Sequence, residues 1–156
     1  MNHNQNMKAP YLITIIIIIT LQSCTTGIKR GQSSITGTWK LVSGMTIEGR
    51  DTVFTDYTKG QEMIKIINDS HFAFLRHDLN GGRDSTAIFV SGGGTYSLDG
   101  NTYTEHLEYC NSREWENNSF ELEYQIAGDT LSTKGIEKIE EAGVDHMNIE
   151  KYVRLK

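Results

Sequence analysis

Gly92-Gly93-Gly94-Thr95-Tyr96-Ser97-Leu98-Asp99-Gly100-Asn101-Thr102-Tyr103-Thr104-Glu105-His106-Leu107-Glu108-Tyr109-Cys110 reads as a β-hairpin. Asp99-Gly100-Asn101 supplies the residues that tolerate the positive φ angles of a tight turn. A two- or four-residue loop puts Tyr96 and Leu98 on one sheet face with Tyr103, Glu105, Leu107 and Tyr109. The other face is Thr95, Ser97, Thr102, Thr104, His106 and Glu108, all polar. One face is therefore apolar apart from a single carboxylate, and the other is wet.

Working outward, the same alternation recurs. Gly37-Thr38-Trp39-Lys40-Leu41 places Trp39 and Leu41 on one side. A second strand is expected over 51–58 with Val53 and Tyr57, and a hairpin over 61–77 turning at Asn68-Asp69-Ser70. In that hairpin one face holds Met63, Lys65, Ile67, Phe72, Phe74 and Arg76; the other holds Glu62, Ile64, Ile66, Ala73, Leu75 and His77. Periodicity leaves the inward face open. The phenylalanine face is favoured, because Lys65 and Arg76 then reach the lone Glu105. Residues 79–85 read as a polar turn and 86–90 as a strand entering the glycine triplet. No Lys-Ser/Thr signature follows the triplet, so it bends or bulges a strand and is not a phosphate cradle.

Residues 111–118 read as a loop or one helical turn, with Trp115 capping an open end. Residues 119–127 place Phe120, Leu122, Tyr124 and Ile126 inward. Gly128-Asp129 turns the chain into 130–134, bringing Leu131 opposite Ile126. The acidic stretch 136–145 is expected to be irregular, and 147–155 to be a last strand showing Met147, Ile149, Lys151, Val153 and Leu155 on one face. Eight or nine short strands joined by tight turns imply an all-β fold, and consecutive hairpins favour an up-and-down antiparallel barrel.

The 156 residues suffice for one domain. A net charge of −5 with no basic tract gives nucleic-acid binding little support. Residues 1–23 read as a lipoprotein signal peptide: Lys8, an isoleucine-rich run over 11–21, then Leu21-Gln22-Ser23-Cys24. That tetrapeptide resembles the lipobox of bacterial lipoproteins, which makes Cys24 the acylated residue and anchors the protein in the outer membrane. Residues 24–36 are then a flexible tether and 37–156 the folded domain. Thr25-Thr26-Gly27 replaces the acidic run of surface-exported lipoproteins, which favours the periplasmic side. Lipidation leaves Cys110 without a disulfide partner, as a small buried side chain.

Three segments carry a resemblance: Gly37-Thr38-Trp39-Lys40-Leu41, Gly93-Gly94-Thr95-Tyr96 through Tyr103-Thr104-Glu105, and Tyr152-Val153-Arg154. On these the domain resembles a lipocalin-like family of bacterial secreted or lipid-anchored proteins. The resemblance implies a calycin-type barrel and an apolar ligand, but no activity. The C-terminal helix of true lipocalins is missing from the pattern.

Glu105 is the most informative residue, because an unpaired buried charge is prohibitively costly. It is a structural ion pair with Lys65, Arg76 or Lys151 (helped by the Tyr103 or Tyr124 hydroxyl), a polar anchor for a ligand, or an acid/base group. His71 and His77 lie about 20 Å apart at strand spacing, His106 is on the wet face and His146 falls in a polar loop. Nothing in the sequence calls for a metal or cofactor, and no nucleophilic motif marks an enzyme. The cavity candidates are Trp39, Phe72, Phe74, Arg76, Tyr96, Tyr103, Glu105, Leu107 and Tyr124. The expected function is binding of a small, largely apolar ligand; the alternative is a self-filled barrel that meets another envelope protein, with interior acid/base chemistry a distant third.

Overall fold

The computed structural model describes Met1 and residues 34–156. The expected signal segment beyond Met1, the expected acylation site Cys24 and the expected tether up to residue 33 lie outside the described residues. Nine strands follow: β1 (Gly37–Glu48), β2 (Asp51–Asp56), β3 (Gln61–Ile67), β4 (His71–Asp78), β5 (Phe89–Asp99), β6 (Thr102–Cys110), β7 (Asn118–Ala127), β8 (Thr130–Ile139) and β9 (Val144–Arg154). All pairings are antiparallel, and from β3 each strand pairs with the next. β9 returns along β1, from Trp39↔Arg154 to Ile47↔Met147, and closes the sheet. The first residues of β1 pair with β3 and the last six with β2. The result is a closed eight-stranded barrel with β2 as an extra strand, the lipocalin-like architecture the sequence led us to expect.

Alternation decides what fills it. The phenylalanine face of β3–β4 points inward, with Lys65, Ile67 and Phe72 buried, while Ile66 and Leu75 are exposed outside. Trp39 closes one end: it is wholly buried, and its indole N–H donates to the Ile35 carbonyl at 2.7 Å. The Arg154 guanidinium lies over the ring, 4.0 Å from its centroid, and donates to the carbonyls of Thr36 and Ser34. The segment leading into β1 is thereby latched across the barrel end by the last strand.

Four expectations need correction. Tyr109 does not face inward; it is 68 % exposed. Gly94 pairs with Leu107 and Gly93 with Tyr109, so Glu108 is an extra residue that reverses the alternation and turns Cys110 inward. The glycine triplet accommodates this bulge, since a Cβ on Gly94 would run into the His106 carbonyl oxygen. Second, residues 79–88 form a loop and β5 begins only at Phe89. Asp78 organises that loop: one carboxylate oxygen accepts from the N–H groups of Asn80 and Gly82, the other from Ile88.

Third, 136–145 is not irregular; β8 runs on to Ile139 and β9 starts at Val144. Fourth, β9 turns Asn148, Glu150 and Tyr152 inward, with Tyr152 wholly buried. The face carrying Lys151 is therefore outside. Ile136 is 56 % exposed and Leu155 43 %, so apolar residues lie on the outer wall here and misdirect a reading by hydrophobicity.

The amide donors of Gly82 and Ile88 hold the Asp78 carboxyl below the ordinary aspartate range. That contribution is present above the ordinary aspartate pKa and is lost as acid reaches the lowered one. Asp78→Ala should leave the barrel folded but remove exchange protection from the Gly82 and Ile88 amides. Hydrogen exchange followed by NMR reads this directly, and unchanged protection there would contradict the assignment.

Candidate functional site

The interior is layered. Next to Trp39 it is filled by aromatic rings: Tyr103 meets Phe72 and Tyr124 edge-on at 6.5 Å and Tyr96 at 5.3 Å. Buried Leu122, Leu131 and Tyr152 complete this half. The Tyr103 hydroxyl has no hydrogen-bond partner among the described residues. Burial first, and then the charge of Glu105, pushes its pKa far above the ordinary tyrosine value.

One inward position beyond Tyr103 on β6, and opposite Trp39 in register on β3, comes the ion pair. The Lys65 ammonium donates to Glu105 Oε1 at 2.6 Å, and both side chains are about nine-tenths buried or more. The ammonium also lies 5.7 Å from the Phe72 ring centroid and 5.5 Å from that of Tyr152. Burial works against the charged lysine, but the charge and hydrogen bond of Glu105, with more distant Glu150 and Glu137, outweigh it and raise its pKa. The lysine's share of this stabilisation is therefore fully present below the ordinary lysine pKa and is lost as alkali passes the raised one.

Beyond the pair the barrel is open, with a cavity of about 300 Å³. One side is apolar: Met63, Phe74, Leu107, Cys110, Trp115 and Phe120 line it. Trp115 is placed by the 3-10 turn Arg113–Trp115 after β6, its ring centroid 5.9 Å from that of Phe120. The turn is pinned by Glu116, which accepts from the Cys110 N–H and pairs with Arg113 at 2.9 Å. At the β2 side, Arg76 donates to Gln61 and lies over the Tyr57 ring, 5.1 Å from its centroid.

The β8–β9 wall is polar. Glu137 accepts from Asn148 at 2.9 Å and lies 3.0 Å from His146 Nε2. Glu150 accepts from the Tyr152 hydroxyl. Burial, followed by the charge of Glu150, raises the Glu137 pKa above the ordinary glutamate value.

Phe74, Arg76, Glu105 and Leu107 thus line the cavity as the sequence suggested. Trp39, Phe72, Tyr96, Tyr103 and Tyr124 do not; they belong to the filled half, because each stands nearer the closed end of its strand. Lys65 and Phe120 were legible as inward residues, and Trp115 as a residue at the open end. Glu137, Asn148 and Glu150 were missed, and His146 sits on β9 rather than in a loop. The signal that finds them is Tyr152: taking that tyrosine as inward fixes Glu150, Asn148 and His146 on its face by alternation.

No protein-family model and no curated protein matches this sequence. The site must therefore be read from its own chemistry.

Removing one member of the central pair should cost about 3–5 kcal/mol, because the other charge is left buried. We expect Glu105→Gln to lower stability strongly and Glu108→Gln, on the wet face, only slightly. A Lys65→Met, Glu105→Leu double variant should recover most of the loss. Urea unfolding of the three proteins tests this; equal small effects for the two Glu→Gln changes would remove Glu105 from the interior.

For Glu137 the sign is opposite. A raised carboxyl pKa means that ionisation destabilises the fold, a cost absent below the ordinary glutamate range and growing as pH rises through the raised value. Glu137→Gln should be more stable than the parent at about pH 7.5 and lose that advantage at about pH 4, measured as unfolding midpoints.

Proposed function

We propose that this protein binds a small, largely apolar molecule in the open half of its barrel and works as a lipid-anchored component of the cell envelope. One observation carries the binding reading: the barrel interior is not self-filled, but divides at the Lys65–Glu105 pair into a packed half and a cavity of about 300 Å³. Binding pockets start at about this size and combine apolar walls with a few placed polar groups. Leu107, Trp115 and Phe120 supply the walls, while Arg76, Glu137 and Glu150 supply the polar groups. At about 30 Å³ per water the cavity has room for about ten waters, so a ligand of similar heavy-atom count fits.

The envelope placement is supported by the sequence: the isoleucine-rich run ends directly in Leu21-Gln22-Ser23-Cys24. Thr25-Thr26-Gly27 after the cysteine favours the periplasmic face of the outer membrane. With a structural ion pair on Glu105, the interior has no spare acid/base group on the apolar hairpin face, which favours binding over catalysis.

The full chain, purified from its own cells and examined by native mass spectrometry, should carry a small co-purifying molecule. Val90→Trp, which fills the cavity from β5, should lose it. A parent protein without any adduct would count against the binding reading.

A further inference from the structure

The ligand class follows from where the cavity's charges already have partners. Resting on the ligand-binding reading above, we propose that the site takes a small organic cation, an amine with an apolar or aromatic body. Its nitrogen lies between Glu137 and Glu150, and its body against Phe74, Leu107, Trp115 and Phe120.

Five ionisable side chains of the kind that fix a net charge line the cavity: Lys65, Arg76, Glu105, Glu137 and Glu150. Lys65 and Glu105 neutralise each other at 2.6 Å. Arg76 is engaged elsewhere, donating to Gln61 and lying over the Tyr57 ring. Among the described residues, no lysine or arginine nitrogen comes within 4.0 Å of Glu137 or Glu150. Glu137 has only His146 and Asn148, and Glu150 only the Tyr152 hydroxyl. Two carboxylates thus share one wall, and burial and mutual repulsion make the ionised Glu137 costly.

A cation entering there donates hydrogen bonds and relieves that repulsion with its charge; a neutral donor supplies only the hydrogen bond, and an anion makes the repulsion worse. The facing wall supplies the complement. Trp115 and Phe120 present aromatic surface beside Leu107, suited to a flat apolar body. The cavity's size restricts that body to about one ring with a short arm. Metal binding by the same carboxylates is not favoured, because no group of three metal-ligating side chains converges among the described residues.

Three probes of nearly equal shape separate the possibilities: 2-phenylethylamine, 2-phenylethanol and phenylacetate. They are titrated into the full chain at neutral pH, with binding followed by calorimetry and by the amide signals of Leu107 and Phe120. The amine should bind about tenfold or more tightly than the alcohol, and phenylacetate weakest. Glu150→Gln should remove most of the amine's advantage over the alcohol, with the variant's dispersed amide spectrum showing that it is folded. If amine and alcohol bind equally, the cavity is a ligand site but the cation assignment falls. If phenylacetate binds best, Arg76 sets the preference and the assignment is overturned. If none of the three shifts the Leu107 and Phe120 signals, both the cation assignment and the ligand-binding reading fall.

Discussion

The buried pair between Lys65 and Glu105 is the constraint around which the interior is arranged. An ammonium and a carboxylate, both almost wholly removed from water, survive there only in mutual contact and in surroundings that hold the geometry. Those surroundings are aromatic: Phe72 and Tyr152 face the ammonium, and Tyr103 precedes the carboxylate by one inward position. Replacing such a pair with apolar residues is often neutral or stabilising, so its value is not extra stability. Its physical effect here is to join β3 and β6, two strands far apart in the sheet, across the barrel. It also marks the level at which packing stops.

Below that level, the sheet is closed by covalent order and latched by ends that meet. β1 is shared: its first residues complete the barrel against β3, its last against β2, and β9 runs beside it throughout. Arg154, near the end of the chain, holds the Trp39 ring and the carbonyls ahead of β1. The closed end therefore depends on contacts between the first and last strands, and it cannot form before both are present.

Much of this was legible in the alternation. The hairpin around Gly100, the inward faces of β3, β4 and β7, and Trp39 as a buried residue follow from period-two patterning with turn residues at the right places. That Glu105 pairs with a cation followed from one further step, that a lone inward carboxylate needs one; the sequence left Lys65, Arg76 and Lys151 as candidates, and the structure selects Lys65. Two kinds of information were not legible. A bulge inverts everything beyond it, and nothing local distinguishes Glu108 as the extra residue that sends Tyr109 out and Cys110 in. The β8–β9 wall defeats hydrophobic reading for a different reason: its inner face is the polar one. Met147, Ile149 and Val153 lie on the outer face, while Glu137, Asn148 and Glu150 line the void. Alternation gives the two faces but not which is inside, and when the inside is a polar cavity, choosing the greasier face chooses wrongly.

That inversion bears on what the cavity is for. A wall needed only to hold a barrel together would be cheaper with apolar side chains facing in, since every half-buried carboxylate is penalised by desolvation and by its neighbour. Here the penalty is visible: Glu137 is pushed towards its neutral form by burial and by Glu150, while the facing wall of Leu107, Trp115 and Phe120 is apolar in the ordinary way. The proposed cationic ligand would offset that penalty. The division of the interior, aromatic and filled on one side of the ion pair, two-faced and open on the other, is the arrangement expected when stability is supplied by one half of a barrel and recognition by the other.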